Sequence, residues 1–166
     1  MSAPFTITAN LVNISRRTIS PVRLTVEGDS IQSIAEAKDA DASTLPFLLP
    51  GFIDSHVHIE SSMLVPQQFA RLAVVHGTVA TVSDPHEIAN VCGMAGVQYM
   101  IEDGNKVPFK FHFGAPSCVP ATTFETAGAT LNSKEVQQLL QQDAIKYLSE
   151  MMNFPGVLHK DEEVMK

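Results

Sequence analysis

The chain has 166 residues, of which 45% are hydrophobic and only 17% are charged, and its formal net charge is −7. This length suffices for a domain with a buried core, and the low charge combined with abundant apolar residues argues against disorder and favours an α/β fold whose strands are covered on both faces. The acidic balance disfavours a nucleic-acid partner, because binding to a phosphate backbone requires a basic surface.

A small antiparallel β unit is predicted at the start of the chain. Residues 5–14 and 22–27 alternate apolar and polar side chains with the period of two that marks a half-buried strand. The turn sequence Glu27-Gly-Asp-Ser30 then leads into a third short strand at residues 31–35. A polar connector follows, so we assign residues 1–45 to a first region.

The remaining region, residues 46–166, alternates between predicted strands and predicted helices. Strands are expected at residues 47–58, 79–83, 109–113 and 144–151, and helices at residues 66–76, 87–104 and 134–142, the last with Ser133 as its N-cap. Strands that alternate with helices pair in parallel, so we expect a parallel sheet or part of a (β/α)8 barrel.

Two histidines near the end of the first of these strands are the sharpest functional signal. His56 and His58 are separated by one residue, and in a strand such residues point to the same face. Two imidazoles side by side suit two ligands of one divalent metal ion. The alternative is a chance pair of surface or core histidines. The preceding segment, residues 50–54, places the pair at a strand end, where barrel active sites lie, and this favours metal binding.

Polar residues also follow the second and fourth predicted strands. Asp84 and His86 come directly after a buried strand, and Asp84 could orient a histidine, hydrogen-bond a substrate or move a proton. Glu87 starts the next helix, where the helix dipole alone would favour an acid. Glu150 ends an apolar strand and could bridge two metals, although a single Glu is more often solvated. Cys118 lies in a plausible substrate loop, but the neighbouring sequence contains nothing that would lower its pKa.

Longer blocks of sequence point to a known family. Residues 49–62 resemble the first-strand signature of the amidohydrolase superfamily. A more specific set of blocks resembles the bacterial adenine deaminases; it comprises residues 58–63, 84–90, 116–121, 124–126 and 150–156.

This resemblance implies a (β/α)8 barrel, of which residues 46–166 would be the first four β/α units, and a β-sandwich whose N-terminal part lies in residues 1–45. It implies that His56 and His58 bind one metal and that Glu150 bridges two. The expected reaction, part of purine salvage, is attack of a metal-activated hydroxide on C6 of adenine, which yields hypoxanthine and ammonia. Manganese or iron is the expected metal in a binuclear centre, with zinc as an alternative.

The catalytic residues implied by the resemblance are Asp84, His86, Glu87 and Glu150, with the first three beside the substrate or behind the metal ligands. Members of the family are several times longer and take further histidine and acidic ligands from later strands. We therefore expect the isolated chain to be catalytically incomplete and to need the remainder of the barrel or another copy of the chain, and we expect a homo-oligomer.

Two alternatives remain open at this stage. The first is a non-catalytic truncated product or half-barrel interaction module, since a half barrel exposes open sheet edges. The second is another metal-dependent amidohydrolase that acts on a cyclic amide. In either case the two cysteines, the absence of a signal-peptide pattern and the lack of a long apolar run lead us to expect a cytoplasmic protein with no membrane partner.

Overall fold

The computed structural model describes residues 3–122 and 124–166, and it divides the chain into two compact units between Pro50 and Gly51. The division falls later than residue 45, where the sequence analysis placed it, because Phe47 and Leu48 form a short strand within the first unit. The two units are described separately below.

The first unit is a four-stranded sheet with the order β3-β2-β1-β4. Its strands are β1 (Phe5–Asn13), β2 (Thr18–Glu27), β3 (Ser30–Glu36) and β4 (Phe47–Leu48). The strands β1, β2 and β3 pair antiparallel, whereas β4 pairs parallel to β1. The turn between β2 and β3 uses Gly28 at φ 62°, a left-handed conformation that favours glycine. The antiparallel unit expected at the start of the chain is thus present, with one additional strand.

A buried amide in β1 contacts the polar connector. Asn10 in β1 is 5% exposed, and its side-chain nitrogen donates to the backbone oxygens of Ala42 at 2.8 Å and Leu45 at 3.3 Å. Because a buried amide without partners is costly, these bonds fix where the connector crosses the sheet. They explain how a polar side chain is accommodated at a buried position of β1.

The second unit is built around a parallel sheet with the order β5-β6-β7-β8. Its elements in chain order are β5 (Phe52–Val57), a 3-10 helix η1 (Ile59–Ser62), α1 (Pro66–Val74), β6 (Thr78–Ser83), α2 (His86–Gly104), β7 (Lys110–Ala115), α3 (Ser133–Leu140), β8 (Ile145–Leu148) and α4 (Phe154–Leu158). The expected α/β class with a parallel sheet is confirmed. Since consecutive strands are neighbours and parallel, their carboxyl ends lie along one edge of the sheet.

Some elements differ from those predicted from the sequence. The first predicted strand is split, because Pro50 and Gly51 separate β4 of the first sheet from β5 of the second. The fourth strand ends at Leu148, so Ser149 and Glu150 follow it rather than belong to it. The short helix α4 was not expected; the Asn153 side chain caps it by accepting from the Gly156 amide at 3.1 Å.

The N-cap of α3 was also assigned one residue too late. Asn132, not Ser133, caps the helix, and its side chain accepts from the amides of Lys134 and Glu135. The Glu135 carboxylate in turn accepts from the Asn132 amide at 2.7 Å, which completes a capping box. Both Asn and Ser are good N-caps, so residue type alone did not separate them.

The core of the second unit lies between the parallel sheet and the helices. It contains Ile59, Ala89, Val97, Met100, Ile101, Phe113, Ala115, Val119, Leu131, Leu139 and Ile145. Helix α2 contributes the largest share and holds the first turn, which carries His86 and Glu87, against the sheet edge. Among the described residues, no helix is long and apolar enough to cross a membrane.

Candidate active site

His56, His58 and Glu150 converge at the carboxyl edge of the parallel sheet. His56 lies in β5 and His58 follows it, while Glu150 follows β8. The Nε2 atoms of the two histidines are 3.3 Å apart, and the Glu150 Oε1 atom lies 3.6 Å from His56 Nε2 and 3.3 Å from His58 Nε2. The three side chains thus form a small triangle of potential ligand atoms.

The size of this triangle fits a divalent metal ion. Two ligand atoms bound to one ion at roughly 2.1 Å with a tetrahedral angle are about 3.4 Å apart. The three measured separations, 3.3, 3.3 and 3.6 Å, agree with that spacing. Imidazole and carboxylate groups are also the donors that zinc, manganese and iron accept. His56, His58 and Glu150 are therefore the residues that could hold a metal.

Glu87 fixes the orientation of one of these histidines. Its Oε2 atom lies 3.0 Å from His58 Nδ1, and its Oε1 atom accepts from the Ser61 hydroxyl at 2.8 Å. A carboxylate next to Nδ1 keeps the proton on that nitrogen and leaves Nε2 with a free lone pair. Glu87 does lie in the first turn of α2, as expected for a helix-start acid, but its carboxylate faces the histidine pair.

Glu60 is a further acid near this cluster that sequence reasoning did not single out. Its Oε1 atom accepts from the Ile88 amide at 3.1 Å, while its Oε2 atom is buried without a hydrogen-bond partner among the described residues. Burial raises the pKa of this carboxyl, against the opposing effect of the backbone hydrogen bonds. The signal was hidden because the chain turns into η1 at Ile59, so the strand alternation that highlighted His56 and His58 stops there.

Asp84 and His86 form a second, buried pair at the start of α2. Asp84 is 2% exposed and His86 is 4% exposed, and Asp84 Oδ2 lies 3.4 Å from His86 Nδ1. His86 Nε2 donates to the Cys118 carbonyl at 2.5 Å. Burial disfavours the charged imidazole, but Asp84 and the carbonyl outweigh it and raise the pKa of His86 to about 10. His86 is therefore a protonated imidazole that can hold or deliver a proton.

The two clusters share a direct backbone connection. The Asp84 amide donates to the carbonyl of Val57, the residue between the two histidines, at 3.1 Å. This bond extends the pairing of β5 with β6 and places the acid–base pair beside the metal-ligand triangle.

Cys118 has neighbours that its own sequence segment does not reveal. The thiol is buried, which raises its pKa, but hydrogen bonds from His86, Ser117 and the backbone after β8 lower it overall. The expectation that nothing would lower this pKa was thus wrong, because the groups responsible come from distant segments. The remaining histidines lie outside the triangle: His112 is within β7, His76 follows α1 and His159 is the exposed C-cap of α4.

Comparisons with known proteins show the family of the chain. The model of the amidohydrolase family matches residues 47–165. The chain is 58% identical over 157 residues to the adenine deaminase of Sulfurovum sp. (strain NBC37-1). It is 56% identical over 160 residues to that of Salinibacter ruber (strain DSM 13855 / M31) and 50% identical over 163 residues to that of Borreliella burgdorferi.

The alignments with these adenine deaminases cover 95%, 95% and 97% of this chain but only 29%, 28% and 29% of the relatives. The chain thus spans less than a third of their length. Among solved structures, a triazine hydrolase from Arthobacter aurescens superposes with a TM-score of 0.57 at 12% identity, over 89% of this chain and 45% of that chain, which shows a shared fold. On the family match and these relatives, the chain belongs to the amidohydrolase family.

Proposed function

We propose that this chain supplies the first part of the active site of an adenine deaminase. The reaction converts adenine and water into hypoxanthine and ammonia. The convergence of His56, His58 and Glu150 within 3.3 to 3.6 Å carries this proposal, because it is the donor set that a metal-dependent hydrolase needs. The similarity to three adenine deaminases at 50% to 58% identity supports adenine as the substrate.

In this proposal, His56 and His58 would hold one divalent metal, and Glu150 would contribute to that metal and to a second one in the complete enzyme. When bound, such an ion lowers the pKa of a coordinated water and polarises the substrate. Manganese or iron is the proposed metal, with zinc as the alternative, since imidazole and carboxylate ligands accept all three. Glu87 keeps the His58 Nε2 lone pair directed at the ion.

Asp84 and His86 are proposed to handle protons. In the reaction a C6–O bond forms and the C6–N bond to the exocyclic amino group breaks, so one water proton goes to the ring and the other to the departing ammonia. A buried acid–base pair beside the metal ligands suits this transfer. His86, which holds its proton, would donate, and Asp84 would accept.

The sheet of the second unit supports the proposal that the chain is an incomplete barrel. Among the residues that the structure describes, strands β5 and β8 each pair with one neighbour, and Phe52 and Ile53 in β5 are 57% and 61% exposed. An apolar strand with a free edge invites pairing with another strand. We therefore propose that activity requires the remainder of the barrel, from a longer polypeptide or from another copy in a homo-oligomer, and that the first unit is part of a β-sandwich.

Metal binding by the chain and turnover by the complete protein test this proposal. Calorimetric titration with Mn²⁺ or Zn²⁺ should show binding that His58→Ala and Glu150→Ala abolish, while His159→Ala, an exposed histidine outside the site, leaves it unchanged. A polypeptide of the relatives' length that contains this chain should release ammonia from adenine. If the complete protein hydrolysed a cyclic amide and did not act on adenine, adenine would not be its substrate. If the two site variants bound the metal as the unmodified chain does, these residues would not form the metal site.

A further inference from the structure

One row of residues across the parallel sheet leads to the buried acid of the site. The pairing of β6 with β7 ends at Ser83–Phe113, so Asp84 and Gly114 are the next residues of the two segments, and Gly114 is paired with Tyr147 of β8. Residues that share a row in a parallel sheet lie on the same side of it. Asp84 and Tyr147 therefore flank a position that has no side chain.

The Tyr147 ring lies over that glycine. A methyl group at Gly114 would be 2.6 Å from both Cε2 and Cζ of Tyr147, and closer still to the Ser149 hydroxyl. Only glycine leaves room for the ring to extend along the row. The ring of Tyr147 and the hydroxyl of Ser149 thus both occupy the space above Gly114.

Two polar atoms near this position are buried without hydrogen-bond partners among the described residues. They are Asp84 Oδ1 and Ser149 Oγ, in residues that are 2% and 7% exposed. A buried carboxylate oxygen without a donor is costly, so native structures usually supply one from a side chain or from an ordered water. The Tyr147 hydroxyl is a donor on the same row.

Electrostatics agree with this arrangement. Burial and the charge of Asp84 raise the pKa of Tyr147 to about 12, with Ser149 acting in the opposite direction. The phenol therefore keeps its proton at neutral pH and can donate it in a hydrogen bond.

We propose that Tyr147 is a positioning residue for Asp84, and that its hydroxyl is hydrogen-bonded to Asp84 Oδ1 through one internal water that Ser149 also contacts. A water with three polar partners is the usual content of such a polar site. The bond holds the Asp84 carboxylate with Oδ2 towards His86. The importance of this hydrogen bond for catalysis rests on the proposed function. The contact between Tyr147 and Asp84 does not depend on that function.

Tyrosine spectroscopy on the 166-residue chain tests the contact without any activity assay. The chain has two tyrosines and no tryptophan, so Tyr99→Phe leaves Tyr147 as the sole phenol. In that background, Asp84→Asn should lower the proton affinity of the phenol about tenfold, measured by ultraviolet absorbance of the phenolate. Asp143→Asn, the same chemical change at an exposed position before β8, should leave it unchanged. If the phenol titrated at the same pH in the Asp84→Asn and Asp143→Asn variants, the proposal would be overturned.

A second measurement avoids any change at the buried acid. The Raman tyrosine doublet of the Tyr99→Phe chain should show a phenol that donates a strong hydrogen bond, and a doublet typical of a water-exposed phenol would contradict the proposal even if Asp84→Asn did not fold. In a complete active protein, Tyr147→Phe should lower kcat more than it changes KM. If the unmodified complete protein did not turn over adenine, only the proposed function would be contradicted. The phenol titration would still decide whether Tyr147 contacts Asp84.

Discussion

The Glu87 carboxylate lies 3.0 Å from His58 Nδ1, although 29 residues separate the two in sequence. The contact exists because β5 and β6 pair in parallel, so the residues that follow these strands meet at one edge of the sheet. Ser61 adds a hydrogen bond to the same carboxylate and restrains it. The histidine pair is therefore oriented by the first turn of α2, not only by its own strand.

Replacement of Glu87 by Gln should weaken metal binding. The amide cannot hold the Nδ1 proton as a carboxylate does, and loss of such a partner typically costs about 10- to 100-fold in affinity. Calorimetric titration with Mn²⁺ or Zn²⁺ measures the change. Glu102→Gln, near the far end of the same helix, is the matched control and should bind as the unmodified chain does. Equal affinities for both variants would show that Glu87 does not act on His58.

Removal of the Asp84 carboxylate should destabilise the second unit. In Asp84→Ala the protonated His86 would remain buried without its acidic partner, and breaking a buried pair in this way costs about 3–5 kcal/mol. Urea denaturation monitored by circular dichroism measures the loss. Asp39→Ala serves as the comparison, because it removes an exposed ion pair with Arg23 and should change stability little. A similar small effect for Asp84→Ala would argue against an ion pair at His86.

Stability should fall as the pH rises above neutrality. His86 has a pKa of about 10 in the folded chain against an ordinary value of 6.5, so the folded state binds this proton more tightly than the unfolded state does. The resulting stabilisation is fully present below about pH 6.5 and is lost progressively as the pH approaches 10. The thermal midpoint, measured between pH 6 and pH 10, should decline over this range. His86→Gln should make the thermal midpoint less dependent on pH. An unchanged pH dependence in this variant would mean that other titrating groups cause the decline.

The N-cap of α3 offers a test that separates two adjacent residues. Asn132→Ala should lower the free energy of unfolding by about 0.5–2 kcal/mol, because the amides of Lys134 and Glu135 lose their acceptor. Ser133→Ala keeps the capping box and should have a smaller effect. Denaturant midpoints of the two variants give the comparison. If Ser133→Ala lowered the free energy of unfolding more than Asn132→Ala did, Ser133 would be the N-cap, as predicted from the sequence.

The fold class and the residues of the triangle at the sheet edge could be predicted without a structure. The period of two in residues 5–14 and the strand–helix alternation after residue 46 predicted an antiparallel unit and a parallel sheet, because side-chain periodicity reflects which face of an element is buried. His56 and His58 were visible as a pair because their spacing alone places them on one face. Glu150 was a candidate because it ends an apolar strand, and the resemblance to a family added the expectation that it bridges two metals.

The contacts among these residues follow from the tertiary structure. The sequence offered Glu87 both as a helix-start acid and, through the resemblance, as a catalytic residue, but its contact with His58 depends on the pairing of β5 with β6. Glu60 lies in the block of residues 58–63, but neither it nor Tyr147 was assigned a role, because their environments are made by segments distant in the chain: the first turn of α2 for Glu60, and Gly114 for Tyr147. Periodicity reports the face on which a residue lies, whereas hydrogen-bond partners and burial depend on strand order and register, which local sequence does not encode.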